Sequence, residues 1–308
     1  MAAWWLIVLS WNGREDTLAC LASLAALRDD DTEVVCVDNG STDGSVQAVR
    51  AAHPEVHLVE NGRNLGFAGG NNAGLRYAFE HGAQWAVLVN NDATVAPDAV
   101  DRLRRAAAEH PAAGMLAGKV FFDEPPDRIW FAGQRFFPTF GYSGRPRGYG
   151  RRDGPRYRRA YRTDRAAGAF MAVSRRVVDA VGLLDEDLFA YVEDVDWSCR
   201  ARAAGFEIWF VPDALAWHRV SASTGGERAS THALYYGVRN TIAVSERHLP
   251  LSRPLGALRR WLILAVFLFQ AFALSERRRP FAAAVRDGYR DALAGRFGER
   301  PVRSSSSA

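Results

Sequence analysis

The feature that most constrains this chain is a rhythm in its first 120 residues: short, unbroken apolar runs, each ending in a polar cluster and each followed by helical spacing. Trp4–Leu9 stops at Ser10-Trp11-Asn12-Gly13, Val34–Val37 stops at Asp38-Asn39, and Trp85–Val89 stops at Asn90-Asn91-Asp92. Leu18, Leu21, Leu24, Ala25 and Leu27 recur at helical spacing between the first two. A helix over Val46–Ala52, a short strand at Val56–Val59, a helix running to about Phe79 and another starting near Pro97 are expected in turn. Strands without polar alternation are buried on both faces. When helices separate them, they belong to a mostly parallel central sheet with helices on both faces. The expected fold class is therefore α/β.

Ligands in such sheets bind at the carboxyl ends of the strands. Any one of the three polar clusters is an ordinary turn or helix cap, because Asn, Asp and Ser favour both. Three at equivalent positions outline a nucleotide-sized cleft. A dinucleotide-binding sheet wants G-x-G-x-x-G directly after its first strand; here that place holds Ser10-Trp11-Asn12-Gly13, and "GFAGG" comes only at Gly66–Gly70. Lys119, the sole lysine, lies outside any glycine loop, so the phosphate loop of ATPases is missing too.

Composition excludes little else. A chain of 308 residues can bury a full α/β core. The net charge of +4 is small for this length, and no nucleic-acid partner is expected. Cys20, Cys36 and Cys199 are far apart and form no C-x-x-C pair, so neither a disulfide framework nor a zinc site is expected and a reducing compartment fits. The opening "MAAWWLIVLSWNG" lacks a basic start and a small-residue cleavage site, and reads as a strand rather than a signal peptide.

From about residue 120 the alternation loosens. Nine arginines fall between Arg145 and Arg165 among Gly, Pro and Tyr. An exposed loop is expected there, either a solvated insert or a lid over an anionic acceptor or phosphate. Trp261–Leu274 holds fourteen residues without a charge, short of the about 20 that a spanning helix needs. Arg259 and Arg260 before it, and Arg277, Arg278 and Arg279 after it, fit a helix lying at a membrane surface. A core helix or a homo-oligomer interface is the alternative. Residues 301–308 are expected to be disordered.

Seven pieces, taken in order, carry a resemblance: "VLSWN", "VVCVDNGSTDGS", "NLGFAGGNNAG", "LVNNDA", "AGAFMAV", "GLLDEDLFAYVEDVDWSCRARAAG" and "WH". Together they resemble the family 2 glycosyltransferases of GT-A fold, and among these the bacterial branch of rhamnosyltransferases and related cell-envelope enzymes. The resemblance covers about Trp4–Asn240. It implies a GT-A domain over 1–240, with a nucleotide-sugar-binding half at 1–120 and an acceptor and catalytic-base half at 121–240. A C-terminal helical extension at 241–300, associating with a membrane, would follow. The implied activity is transfer of a sugar, rhamnose from dTDP-rhamnose by the branch, from a nucleoside diphosphate to a hydroxyl of a glycan or lipid-linked acceptor. The anomeric centre would invert, at the cytoplasmic inner face of the plasma membrane. A UDP-sugar donor and a non-catalytic sugar-nucleotide binding subunit are the alternatives.

The same resemblance assigns residues. Charge gathers on a departing diphosphate and calls for a cation; Mg2+ or Mn2+ with oxygen ligands serves. The last aspartate of the family's D-x-D motif matches Asp92, while Asn90 stands where the first is expected, so the cluster supplies one charge fewer. His218 matches a position that completes the metal shell. Asp38 matches the aspartate that accepts from the pyrimidine N3–H, and Ser10 and Asn12 would flank base and ribose. Asn64, Gly66, Asn71 and Asn91 would line the donor, the glycine by letting backbone approach it; Asn71 or Asn72 serves equally as a helix N-cap. The attacking hydroxyl must lose a proton to a base. The family's E-D motif matches Glu193-Asp194, with Asp194 as the base and Glu193 contacting the acceptor or orienting the site. Asp196, spaced i,i+4 from Arg200, reads as a surface ion pair.

Overall fold

The computed structural model describes residues 3–27, 29–136, 145–219, 230–273 and 278–301. The apolar runs form β1 (Trp4–Ser10), β2 (Thr32–Asp38), β3 (His57–Glu60) and β4 (Trp85–Asn90), joined by α1 (Arg14–Ala25), α2 (Ser45–Ala52) and α3 (Gly66–Glu80). All of β1 except Leu9 is buried, as its unbroken apolar sequence requires. These strands pair in parallel in the order β3-β2-β1-β4. Their register sets Ser10 opposite Asp38 and Leu9 opposite Asn90, so the three polar strand ends fall in one row. Helix α3 lies close on the sheet because it lacks side chains where the two meet. A methyl at Gly74 would collide with Ile7, and one at Gly70 with Leu9.

After β4 come β5 (Ala93–Val95), α4 (Ala99–Glu109), β6 (Ala113–Phe122), β7 (Ile129–Phe131), β8 (Tyr161–Arg162), β9 (Phe170–Ser174), α5 (Arg175–Val181), α6 (Glu193–Ala203) and β10 (Glu207–His218). Here the sheet stops being parallel. β9 runs antiparallel to β4 and β6, β10 runs parallel to β6, and β5 runs antiparallel to β10. The parallel arrangement expected for most of the sheet is thus confined to β1–β4 and the β6–β10 pair, and the sheet as a whole is mixed. The reason lies in the connections. Parallel neighbours need a crossover, whereas β9 enters from the arginine-rich segment at the edge where β4 ends, with Asn90 N donating to Ala169 O at 3.1 Å.

That segment is not a free loop. Tyr157 is buried with Phe121, Ile129 and Phe210, and the buried Lys119 amine reaches Asp153 at 3.1 Å. Eight of its nine arginines are exposed, and only Arg165 turns inward.

The chain closes with α7 (Thr231–His248), α8 (Arg253–Ala273) and α9 (Arg278–Leu293), which share a second apolar cluster built on Leu234, Val238, Ile242, Ile263, Phe281 and Val285. Helix α7 runs through residue 240, so the boundary expected there falls inside a helix; we propose that the C-terminal unit starts with α7. The charge-free run is the latter part of the longer helix α8, with Leu274 and Arg277 outside the described residues. Residues 302–308, expected to be disordered, also lie outside them.

Candidate active site

Asp38 ends β2 beneath a turn whose backbone it organises: its Oδ2 accepts from Gly40 N and Ser41 N, both at 3.0 Å. Its Oδ1 is buried and has no partner among the described residues. Beside it, Asn12 adopts a left-handed backbone (φ 50°) and accepts from Thr42 N at 2.7 Å. Ser10 Oγ shares a hydrogen bond with Thr17 Oγ1 at 2.9 Å, and Asn91 Nδ2 donates to that same hydroxyl at 3.0 Å. Next to Asn12, the Trp11 ring is half exposed.

Three residues expected to line the donor make internal contacts. Asn64 accepts from Gly66 N at 2.8 Å and from Asn39 Nδ2 at 3.0 Å, which secures the start of α3. Gly66 has a left-handed backbone, and a methyl there would strike Phe189; the close approach it permits is to protein. Asn71 and Asn72 lie inside α3, where Asn71 donates to Phe67 O at 2.9 Å, so neither is an N-cap.

The metal candidates meet because β5 folds back along β10, setting Ala93 opposite His218. Asp92 Oδ1 lies 2.9 Å from His218 Nε2, and Asn90 Nδ2 lies 3.2 Å from the same nitrogen. Neighbouring ligands of an octahedral ion at about 2.1 Å stand about 3 Å apart, which matches the Asp92–His218 spacing. Asp92 Oδ2, Asn90 Oδ1 and His218 Nδ1 are buried without partners among the described residues. The residues therefore fit a divalent ion as a partial site. Among the described residues no group of three or more His, Cys, Asp or Glu gathers at one point, so Asp92 and His218 do not by themselves complete an ion's coordination shell.

The acids at the start of α6 are all buried. Asp194 Oδ2 accepts from Arg165 Nη2 (2.6 Å), Arg165 Nε (3.2 Å) and Gly168 N (3.0 Å), while Oδ1 has no partner. Gln134 Oε1 accepts from Arg165 Nη1 at 2.9 Å and fixes the guanidinium. Glu193 Oε2 is likewise buried without a partner. Burial first, and then the Asp194 carboxylate, push the Glu193 carboxyl up to about 8. Tyr191, just before them, is held above the usual phenol range by burial and by the carboxylates of Glu193 and Asp92. The charges of Glu193 and Asp92 both reach this hydroxyl.

Asp196 corrects the sequence reading. It is fully buried rather than a surface partner, and it binds Arg200 Nε (2.7 Å), Arg247 Nη1 (2.8 Å) and His248 Nε2 (2.8 Å), tying α6 to α7. Burial raises its carboxyl, but the His248 hydrogen bond and the two arginines outweigh this and hold it down at about 2. A carboxyl lowered on folding adds stability above its unfolded value, from about pH 4 upward, and loses it as pH falls toward 2. Asp196→Asn is expected to cost about 3 kcal/mol at pH 7 and to blunt the acid loss between about pH 4 and 2. Urea unfolding at pH 7 and pH 3 measures both.

Eight buried side-chain polar atoms lack partners among the described residues, and six belong to Asp38, Asn90, Asp92, Glu193, Asp194 and His218. Native proteins pair nearly all such atoms, so a cluster of exceptions among the described residues makes this a candidate binding site. Among the described residues the non-glycine positions with left-handed backbone are Asn12, which follows β1, and Phe189, Tyr191 and Val192, which precede α6. Arg165, Gln134 and Tyr191 were invisible as site residues in the sequence. Arg165 is one arginine among nine, and only its ion pair with Asp194, 29 positions away, distinguishes it.

Residues 5–187 match the family described as glycosyl transferase family 2. An N-acetylglucosaminyl-diphospho-decaprenol L-rhamnosyltransferase of Mycobacterium tuberculosis is 32% identical over 74% of this chain and 79% of its own length. A dTDP-rhamnosyl transferase of Shigella flexneri is 25% identical, covering 80% and 81%. Among solved structures, a mannosyltransferase of Pyrobaculum calidifontis in complex with GDP-Man and Mn2+ superposes with a TM-score of 0.59 at 18% identity, over 94% of this chain and 87% of that one. S. aureus TarS residues 1–349 give 0.55 at 14% identity, over 95% and 81%. At those identities the two structures speak for the fold.

Proposed function

The chain belongs to glycosyl transferase family 2, and from that premise we propose that it is an inverting, divalent-metal-dependent rhamnosyltransferase. The donor is dTDP-rhamnose, and the acceptor is a hydroxyl of a lipid-linked or polysaccharide component of the cell envelope. The six partnerless atoms along one sheet edge carry this reading: four acids, one amide and one imidazole wait for ligands of complementary chemistry. The acceptor and donor classes draw support from the relatives that transfer rhamnose.

In this reading Asp38 Oδ1 accepts the N3–H of the pyrimidine, a group shared by thymine and uracil, and the exposed Trp11 ring is free to stack on the base. Asp92, Asn90 and His218 take the diphosphate end. A divalent ion bound there supplies the positive charge that a departing diphosphate needs. Asp194 Oδ1 takes the proton of the acceptor hydroxyl. Arg165 and Gly168 N–H fix the other oxygen, so the free one keeps a single aim. Glu193, neutral at pH 7, donates its O–H to the acceptor. Inversion follows from a base and a leaving group on opposite sides of the sugar.

Hydrolysis and transfer assays across a panel of nucleotide sugars, with Mn2+ and with chelator, test the reading. Turnover with dTDP-rhamnose that chelator abolishes is the expected result. Turnover only with a UDP-sugar overturns the donor. Binding without turnover of any sugar supports the second reading, a non-catalytic binding subunit, which the amide at Asn90 favours.

We also propose that the enzyme works at the cytoplasmic face of a membrane, with α8 lying in the interface. Leu255, Leu258, Leu262, Val266, Phe269 and Phe272 recur every three or four residues along α8, and all are exposed, as is Trp261. By length and composition α8 could cross a membrane. However, its other flank packs Ile263 and Ala271 against α7 and α9, which would have to follow it inside. The arginines expected to face lipid do not all do so: Arg259 is buried and donates to Leu249 O at 2.7 Å, and Arg260 pairs with Glu246 at 2.6 Å. Apolar burial therefore dominates. The triple change Trp261→Ser, Phe269→Ser, Phe272→Ser should weaken co-sedimentation with anionic vesicles at least about 100-fold. Unchanged partitioning with a changed oligomeric state would make the face an interface between copies.

A further inference from the structure

We infer that Arg239 and Asn240 of α7 are positioning residues for the reaction: they hold the backbone of residues 187–192 in the shape that delivers Glu193 and Asp194. The inference rests on the reading of Asp194 as the base. Asn240 Nδ2 directs its two N–H donors into a cluster of three carbonyls of that loop, Leu188 O (2.8 Å), Ala190 O (2.8 Å) and Tyr191 O (2.7 Å), one N–H being shared. Arg239 Nη2 donates to Asp187 O (3.2 Å) and Leu188 O (3.0 Å), and its Nε donates to Asn240 Oδ1 (2.9 Å), which orients the amide. The C-terminal stretch closes the ring: Arg239 Nη1 donates to Gly298 O (2.8 Å), and Gly298 N donates to Asp187 O (2.7 Å). Both side chains are fully buried.

The loop needs such help. Phe189, Tyr191 and Val192 have φ of 62°, 65° and 73°, a region that L side chains avoid and β-branched valine avoids most. Helix α6 begins immediately afterwards, so these angles aim its first turn, where both acids sit. Donors from outside must impose this shape. From the far side α3 contributes a matching grip, with Asn72 bonded to Leu184 O (2.9 Å) and Leu184 N (3.0 Å), and Ala68 N donating to Phe189 O (3.1 Å). Among the described residues Arg239 donates to main-chain carbonyls and Asn240 and has no carboxylate partner, and aromatic rings of Tyr235, Tyr236 and Phe297 cover its guanidinium. A buried guanidinium with no carboxylate partner is an expensive way to fill a core; as a fork that captures carbonyls it has a use.

Asn240→Asp tests this in the full chain. The change keeps the shape and the acceptor for Arg239 Nε and removes both N–H donors. Amide hydrogen exchange over residues 187–192 is expected to speed at least tenfold while β1–β4 are unchanged. The kcat should fall about 100-fold with the donor KM within threefold. Arg239→Lys, which keeps the charge and loses the fork, carries the same two readouts if Asn240→Asp does not fold. Unchanged exchange overturns the inference, as does faster exchange with kcat within threefold of wild type or a rise in KM alone. Asp194→Asn assayed in parallel separates the two ideas: full turnover there removes the base, whereas the clamp stands or falls on Asn240→Asp.

Discussion

Asp194→Asn is expected to lower kcat about 1000-fold, in the range for loss of a general base, while donor affinity stays within threefold. The substitution preserves shape, and the new amide oxygen can still accept from Arg165 and Gly168 N, so the fold around α6 has no reason to move. What disappears is a second oxygen able to take a proton, at the position where the native Oδ1 has no partner. Steady-state transfer assays combined with calorimetric titration of the nucleoside diphosphate separate turnover from binding. Near-normal turnover would remove Asp194 from the chemistry. Its neighbour gives the pH dependence. Burial and the Asp194 charge raise Glu193 to about 8, so Glu193 is protonated at pH 7 and ionises as pH climbs through 8. Turnover should decline there, because a second negative charge appears beside the base, and Glu193→Gln should lose that alkaline limb.

Asp92→Asn is expected to reduce kcat/KM about 100-fold or more and to abolish the tightening of dTDP binding by Mn2+. Asp92 is the only acid of its cluster, because Asn90 occupies the place of a second, and among the described residues no third ligand of the usual kind joins it and His218. Charge count sets much of a site's affinity for a hard cation. The protein alone should therefore hold Mn2+ weakly, and ion and diphosphate should bind together. Titrating dTDP with and without Mn2+ reads this coupling directly. Asn90→Asp should act in the opposite direction, tightening Mn2+ about tenfold through one added charge. If Asp92→Asn retains the metal effect, the ion is held elsewhere.

The two predictions draw on different kinds of legibility. Asp38, Asn90 and Asp92 could be read from the sequence as strand ends because a strand buried on both faces must stop being apolar where it leaves the sheet. Parallel neighbours leave on the same side. Motif order then carried the assignment of Glu193 and Asp194. Asp196 shows the limit. Its i,i+4 spacing from Arg200 correctly gave the pair, and the pair is there at 2.7 Å. Spacing on one helix says nothing about what covers it, however, and α7 brings Arg247 and His248 over the top.

Sequence by itself determined the strand–helix alternation, the polar row at the carboxyl edge and the family, since each rests on residues near one another in the chain or on motifs in a fixed order. Tertiary structure alone decided that β9 turns antiparallel, that β5 delivers Asp92 to His218, that one arginine of nine faces Asp194, and that three non-glycine residues accept left-handed backbone before α6. Those outcomes depend on contacts between segments far apart in sequence. Their energies come from burial and hydrogen bonding across elements, which local propensity does not contain.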